Sequence, residues 1–210
     1  AELDRLSMPY YVVPGNHDHR SNLRDAFADK TYLSDCEDFV QYVIEDFPFR
    51  FIAVDTLVSG QPFGELTEEK LAWLDRTLAE KPETPTFIFQ HHHPFRSGIE
   101  FMDNQNLRNG EAELAILSKH PQVKHIACGH VHRASETVMN GIGISIAPNG
   151  AHSITLDMSG SDDISFTMEP PAIRLFLLDP DRGTVVSHLS YVGDYDGPHP
   201  FFDEGGALVD

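Results

Sequence analysis

Three short stretches of this sequence carry side chains that bind metal ions or transfer protons. Residues 15–18 read Gly-Asn-His-Asp, residues 90–93 read Gln-His-His-His, and residues 129–132 read Gly-His-Val-His. Divalent cations in hydrolytic sites accept imidazole nitrogens and amide or carboxylate oxygens, whereas structural zinc sites rely mostly on cysteine sulfur. The sequence therefore predicts a mixed nitrogen and oxygen metal site, whose candidate ligands are Asn16, His91, His130 and His132.

The spacing within these stretches limits which side chains can act together. In an extended segment, His130 and His132 would point to the same side and could reach one ion or two neighbouring ions. Adjacent side chains point apart, so one or two of the histidines 91–93 can face the same site. Asp18 could be a ligand, but it fits equally well as the partner that orients a neighbouring histidine.

Each stretch follows an apolar run that predicts a β-strand. These runs are residues 10–13, 86–89 and 125–128. In an open α/β sheet, binding groups collect at the carboxyl ends of the strands, so we expect the three turns to form one site. The polar residues 96–109 are expected to form a loop that covers this site.

The pattern along the rest of the chain is typical of an α/β fold. Leu71, Leu74 and Leu78 lie on one face of a helix that Thr67 is expected to cap. Two further helices are predicted at residues 21–30 and 111–119, and further strands at residues 39–44, 49–55, 136–139, 142–147, 173–178 and 184–191.

The composition favours small molecules over polyanions as partners. The 210 residues suit one domain spanning 1–210, and the net charge of -18 disfavours binding to a nucleic-acid duplex or to an anionic membrane surface. No apolar run is long enough to span a membrane, and the two cysteines give no disulfide framework. We expect a cytoplasmic protein that acts on small molecules.

The order of the three histidine-bearing stretches, with Pro94 after the second, resembles that of the calcineurin-like metallophosphoesterase superfamily. Within it, the chain is most similar to bacterial class III cyclic-nucleotide phosphodiesterases and glycerophosphodiesterases. The similarity extends to Asp55, to Gly64 and to Pro148 followed by His152, so it spans most of the chain. It implies a four-layer α/β/β/α sandwich that holds two divalent ions (Mn, Fe or Zn) at the strand ends.

The resemblance also implies a set of metal ligands, which is incomplete here. One ion would be bound by Asn16, His91 and His130, and the other would have His132 as a ligand. The family's Asp-x-His and Gly-Asp motifs, which supply further carboxylates, do not occur upstream of Gly15. The first strand–helix–strand unit is therefore expected to be missing, either because the sequence is a fragment of a longer protein or because that part was lost.

The implied reaction is hydrolysis of a phosphodiester bond in a small substrate, a cyclic nucleotide or a glycerophosphodiester, by a metal-activated water. His17 and His152 would be the catalytic residues that contact the phosphate, and His17 would stabilise its charge or protonate the leaving group. His92 and Asp18 would support the ligands without binding metal themselves.

Two other functions stay open at the level of sequence. Because most ligands of one metal are absent, the chain could be a catalytically silent binding or assembly module. The same site could also hydrolyse phosphomonoesters. We expect metal-dependent phosphodiesterase activity of the parent protein, weak or no activity of this chain alone, and by resemblance a possible homo-oligomer.

Overall fold

A six-stranded mixed sheet organises the structure. The computed structural model describes residues 2–34, 38–161 and 163–208. The sheet contains β1 (Tyr42–Ile44), β2 (Arg50–Val54), β3 (Thr86–Gln90), β4 (Val123–Cys128), β5 (Ser135–Met139) and β6 (Ile142–Ile146). The strand order is β1-β2-β3-β4-β6-β5. The four central strands are parallel, and β1 and β5 join the edges in antiparallel pairs.

Helices cover one face of this sheet. These helices are α2 (Glu68–Glu80), α3 (Glu100–Asp103) and α4 (Gly110–Leu117), whereas α1 (Arg20–Ala26) lies on the opposite face, where its Leu23 packs in a second core with Ala53 of β2. As predicted, α2 begins at Thr67, whose side chain accepts a hydrogen bond from the backbone N–H of Lys70. Leu74 of α2 and Leu117 of α4 are almost fully buried in one apolar core with Ile88 of β3. Burial of this apolar stripe fixes the helices against the sheet.

The opposite face is covered by a hairpin and by the chain before β1. The remaining strands are β7 (Ser153–Ile154), β8 (Phe166–Thr167), β9 (Ala172–Asp179) and β10 (Thr184–Tyr191), and they form the antiparallel pairs β7–β8 and β9–β10. Phe176 of β9 packs against Phe87 and His125, with ring centroids 4.9 and 5.0 Å apart. The predicted α/β class, with a central mixed sheet, is confirmed.

Two predictions about local structure are corrected. Residues 10–13 do not form a strand, because two of their backbone carbonyls accept hydrogen bonds from tyrosine hydroxyls rather than from a neighbouring strand. Val12 O accepts from the Tyr42 hydroxyl at 2.7 Å, and Tyr10 O accepts from the Tyr32 hydroxyl at 3.2 Å. The predicted loop at residues 96–109 contains α3, which forms because Met102 is buried in the core. Most of the other predicted helices and strands are present with shifted ends.

The parallel strands bring their carboxyl ends to one edge of the sheet, as the sequence predicts. The segments that leave this edge are residues 55–57 after β2, 91–95 after β3, 129–133 after β4 and 147–152 after β6. Residues 152–161 and 163–167, which include the β7–β8 pair and are here called the flap, continue from the last of these segments.

No helix within the described ranges is long and apolar enough to cross a membrane. The single-domain organisation, the cytoplasmic location and a homo-oligomeric state stay predictions.

Candidate metal centre

One cavity of about 350 Å³ at this edge brings the predicted residues together. Its lining includes seven of the eight predicted site residues: Asn16, His17, Asp18, His91, His130, His132 and His152. The eighth, His92, lies beneath the cavity floor and is fully buried. These residues come from the turn at 15–18 and from the segments after β3, β4 and β6, and they are up to 136 positions apart in the chain, from Asn16 to His152.

The first turn holds Asn16 directly against His91. Asn16 Oδ1 lies 3.0 Å from His91 Nε2. The turn is closed by Asp18, whose carboxylate accepts from the backbone N–H of Gly15 at 2.8 Å. A Cβ at Gly15 would lie 2.9 Å from His91 Cε1, so a glycine is required for this close approach. The hydrogen bond of Asp18 thus goes to its own turn rather than to a histidine.

A buried ion-pair network, which the sequence did not reveal, anchors the same turn from the other side. Arg20, at the start of α1, donates from Nε and a terminal nitrogen to the two carboxylate oxygens of Asp55 at 2.5 and 2.8 Å. Asp55 is fully buried and also faces Lys70 Nζ at 3.6 Å. Burial alone would raise the pKa of Asp55, but Arg20 and Lys70 hold it below its usual value, so the carboxylate is charged.

The third turn is not extended, which corrects the predicted geometry of its two histidines. His130 and His132 both have left-handed backbone conformations, with φ of 73° and 58°. Such conformations are unfavourable for residues other than glycine and recur at functional sites. Val131 between them is buried in the core, which holds the turn in place. Both histidines still line the cavity, but because the backbone turns rather than because the side chains alternate.

His92 is fixed by hydrogen bonds to both of its ring nitrogens. Nδ1 lies 2.8 Å from Thr56 Oγ1, and Nε2 lies 3.1 Å from the carbonyl oxygen of Pro62. A carbonyl only accepts, so Nε2 carries the proton and Nδ1 accepts from the Thr56 hydroxyl. His92 therefore has no nitrogen to spare for a metal, although its ring forms a close cluster with His91 and His130. This geometry supports the predicted role of His92 as a supporting residue.

The flap places His152 against His132. His152 Nε2 lies 3.1 Å from His132 Nδ1, and the two ring centroids are 4.8 Å apart. The other side of the His152 ring contacts Phe166 of β8 at 5.2 Å between centroids. With Nδ1 engaged in this way, His132 would bind an ion through Nε2. His17 also lines the cavity and is exposed.

Burial keeps the clustered imidazoles neutral. Loss of solvation lowers the pKa of His91 to about 4, that of His92 to about 3 and that of His130 to about 2. Burial also lowers the pKa of His132, and the neighbouring His152 lowers it further. Neutral imidazole is the form that binds metal, so these side chains are ready to act as ligands at neutral pH.

The side chains present fit a divalent cation. His130 Nε2 is buried and has no hydrogen-bond partner within the described residues, which is unfavourable unless a ligand contacts it. Asn16 Oδ1 and His91 Nε2 are 3.0 Å apart, close to the ~3 Å expected between neighbouring ligand atoms of one ion. The donor set of Asn16, His91 and His130 therefore suits one cation, and the assignment of each ligand stays a prediction.

A nitrogen-rich metal site at the strand ends of a mixed α/β sheet is the arrangement of a metal-dependent phosphoesterase. The chain belongs to the calcineurin-like phosphoesterase family, whose model matches residues 1–134. This confirms the family resemblance seen in the sequence, places the chain in a family of hydrolases and implies that divalent metal ions bind at the site.

Similar proteins carry the names of two kinds of phosphodiesterase. The probable glycerophosphodiester phosphodiesterase GpdQ of Arcobacter nitrofigilis is 41% identical over 206 residues, which cover 98% of this chain and 75% of that protein. The 3',5'-cyclic adenosine monophosphate phosphodiesterase CpdA of Escherichia coli K12 is 33% identical over 141 residues, covering 67% of this chain and 50% of that protein. A solved dimetal phosphatase from Danio rerio has a similar fold, with a TM-score of 0.51, 21% identity, and coverage of 64% of this chain and 59% of that one.

Proposed function

We propose that this chain carries the site of a metal-dependent phosphodiesterase that hydrolyses small substrates, a cyclic nucleotide or a glycerophosphodiester. The observation that carries the proposal is the pairing of Asn16 with His91 beside the unpartnered Nε2 of His130. The relatives named for glycerophosphodiester and cyclic-AMP hydrolysis support it, and neither is named as an assembly module or a phosphomonoesterase.

The proposed ligands would hold two divalent ions, with Mn, Fe or Zn suited to their nitrogen and oxygen donors. Asn16, His91 and His130 would bind the first ion, and His132 would contribute to the second. When bound, these ions would activate a water and offset the negative charge of the phosphoryl group. Asp18 lines the cavity but is hydrogen-bonded to Gly15.

Two further imidazoles that line the cavity would face the substrate. His17, which is exposed, would donate a hydrogen bond or a proton to the leaving oxygen. His152, held by His132 and Phe166, would contact a phosphate oxygen from the flap side. His92, fixed by Thr56, would keep the floor of the site rigid.

The test is hydrolysis of bis(4-nitrophenyl) phosphate and of 4-nitrophenyl phosphate by this chain, with and without added Mn²⁺ or Zn²⁺. We expect this chain alone to show weak Mn²⁺- or Zn²⁺-dependent activity that is greater on the diester and is abolished in the His91→Ala and His130→Ala variants. His199→Ala changes an exposed histidine and serves as the matched control. Equal activity with and without metal, or a preference for the monoester, would refute the proposal.

A further inference from the structure

The cavity has a second wall that the proposed chemistry does not use. Besides the histidines, the cavity is lined by Phe101 of α3, Ile154 of β7 and Ile164 of the flap. The side chains of these three residues carry no polar atoms. Gln105, which also lines the cavity, supplies a neutral amide. A phosphate held by the histidines would therefore have its alcohol group against an apolar surface with one amide beside it.

Hydrogen bonds fix the two segments that form this apolar wall. Asp103, the last residue of α3, holds the turn before this helix by accepting from Ser97 Oγ at 2.7 Å and from the backbone N–H of Gly98 at 3.0 Å. Phe101 is thereby held against the core. On the flap, Ile154 O accepts from Arg133 Nε at 2.7 Å, which ties β7 to the turn after β4.

The turn before α3 and the flap also contact each other directly. A Cβ at Gly98 would lie 2.9 Å from Met158 Cε, so the flap rests directly on the turn before α3. Thr155 N donates to Ser165 O at 2.9 Å, which closes the flap behind Ile164. Ile164 is nevertheless 47% exposed, so part of its surface faces the open cavity. The apolar wall is preformed and has area left for a substrate to cover.

The chemistry of this wall distinguishes between the two substrate classes of the proposed function. A glycerol group would place two hydroxyls against Phe101, Ile154 and Ile164, whose side chains offer these hydroxyls no hydrogen-bond partner. A heteroaromatic ring would place its apolar face on the same side chains, and its polar edge could pair with the Gln105 amide, which both donates and accepts.

We infer that Phe101, Ile154 and Ile164 select phosphodiesters whose alcohol component carries a heteroaromatic ring, such as a nucleoside, over glycerol diesters. The inference rests on the proposed phosphodiesterase function and names the substrate class of the same site. The 41% identical relative is named a probable glycerophosphodiester phosphodiesterase, and the substrate class inferred here differs from the one in that name.

The test compares kcat/KM for 3',5'-cyclic AMP and for glycerophosphoethanolamine, in Mn²⁺, for the wild type and two variants. Phe101→Ser and Ile164→Ser each remove apolar surface, and Ile164 is exposed enough that its substitution should not prevent folding. We expect the wild type to prefer cyclic AMP, and each variant to lose about tenfold of that preference while its activity on the glycerol diester stays within about twofold. Leu177→Ser, on the exposed outer face of β9, is the control that should change neither value.

The outcomes separate the inference from the proposed function. A wild-type preference for the glycerol diester, or an equal loss on both substrates in the variants, overturns the inference and leaves the phosphodiesterase function standing. If neither diester is hydrolysed, the proposed function fails, and saturation-transfer NMR with adenosine on the metal-free chain decides the inference. Signals from the base that disappear in Ile164→Ser support the apolar wall as a ring-binding surface, and no signals in the wild type overturn it.

Discussion

Glu113 predicts an unusual pH dependence of stability, which one substitution should remove. This residue of α4 is completely buried, and in the described part of the chain only one of its oxygens has a partner, Gln90 Nε2 at 3.1 Å. Burial raises the pKa of Glu113 from 4.5 to about 7. Because the pKa is higher in the folded state, the stabilising contribution is fully present below pH 4.5 and is lost as the pH rises through 7.

The size of the effect follows from the shift. Between about pH 5.5 and about pH 8, ionisation of this one carboxyl group should lower the free energy of unfolding by about 2 kcal/mol. Glu113→Gln removes the titration, and the new amide can donate to Gln90 Oε1, which also lacks a partner within the described residues. We therefore expect a higher free energy of unfolding for the variant than for the wild type. This difference should be about 2 kcal/mol larger at the higher pH than at the lower one.

The assay is urea unfolding of the metal-free chain at both pH values. The buried histidines titrate in both proteins, so their contribution cancels when the variant is compared with the wild type. Glu111→Gln, on the exposed side of the same helix, should change stability by less than about 0.5 kcal/mol at either pH. If the stability difference between Glu113→Gln and wild type is the same at both pH values, the carboxyl does not titrate as argued.

Two further substitutions test how the site is held. Gly64→Ala would place a Cβ 2.5 Å from His92 Nδ1. We therefore expect the free energy of unfolding in urea to fall by about 1–3 kcal/mol and Zn²⁺ binding, measured by calorimetry, to weaken about tenfold. Gly150→Ala, whose Cβ would meet nothing within 4 Å, is the control, and equal behaviour of the two variants would contradict this account of His92. Arg20→Lys cannot make both hydrogen bonds to the carboxylate of buried Asp55 and should lower the free energy of unfolding by about 1–3 kcal/mol. An unchanged unfolding midpoint would show that Lys70 alone compensates the charge of Asp55.

The strand-end turns were predictable because their signal is local. An apolar run that ends in Gln-His-His-His or in Gly-His-Val-His places polar groups at a strand terminus whatever the rest of the chain does. The parallel order of β3, β4 and β6 brings the turns after these strands to one edge, where seven of the eight predicted residues line one cavity.

The features that escaped prediction depend on distant partners. The Arg20–Asp55 pair joins residues 35 positions apart, and neither residue type signals the other. Residues 10–13 have the composition of a strand, but the hydroxyls of Tyr32 and Tyr42 bind carbonyls that a neighbouring strand would otherwise use. The left-handed conformations at His130 and His132 were not predicted, because histidine rarely adopts them and the buried Val131 imposes them only in the folded core.

The most direct test of the central claim is the binding of Zn²⁺ to the purified, metal-free chain, measured as bound ions per chain. The account predicts at least one tightly held ion in the wild type and in His199→Ala, and the loss of that ion in His91→Ala and in His130→Ala. Binding of the same number of ions with the same affinity by all four proteins would show that the cluster of Asn16, His91 and His130 is not a metal site.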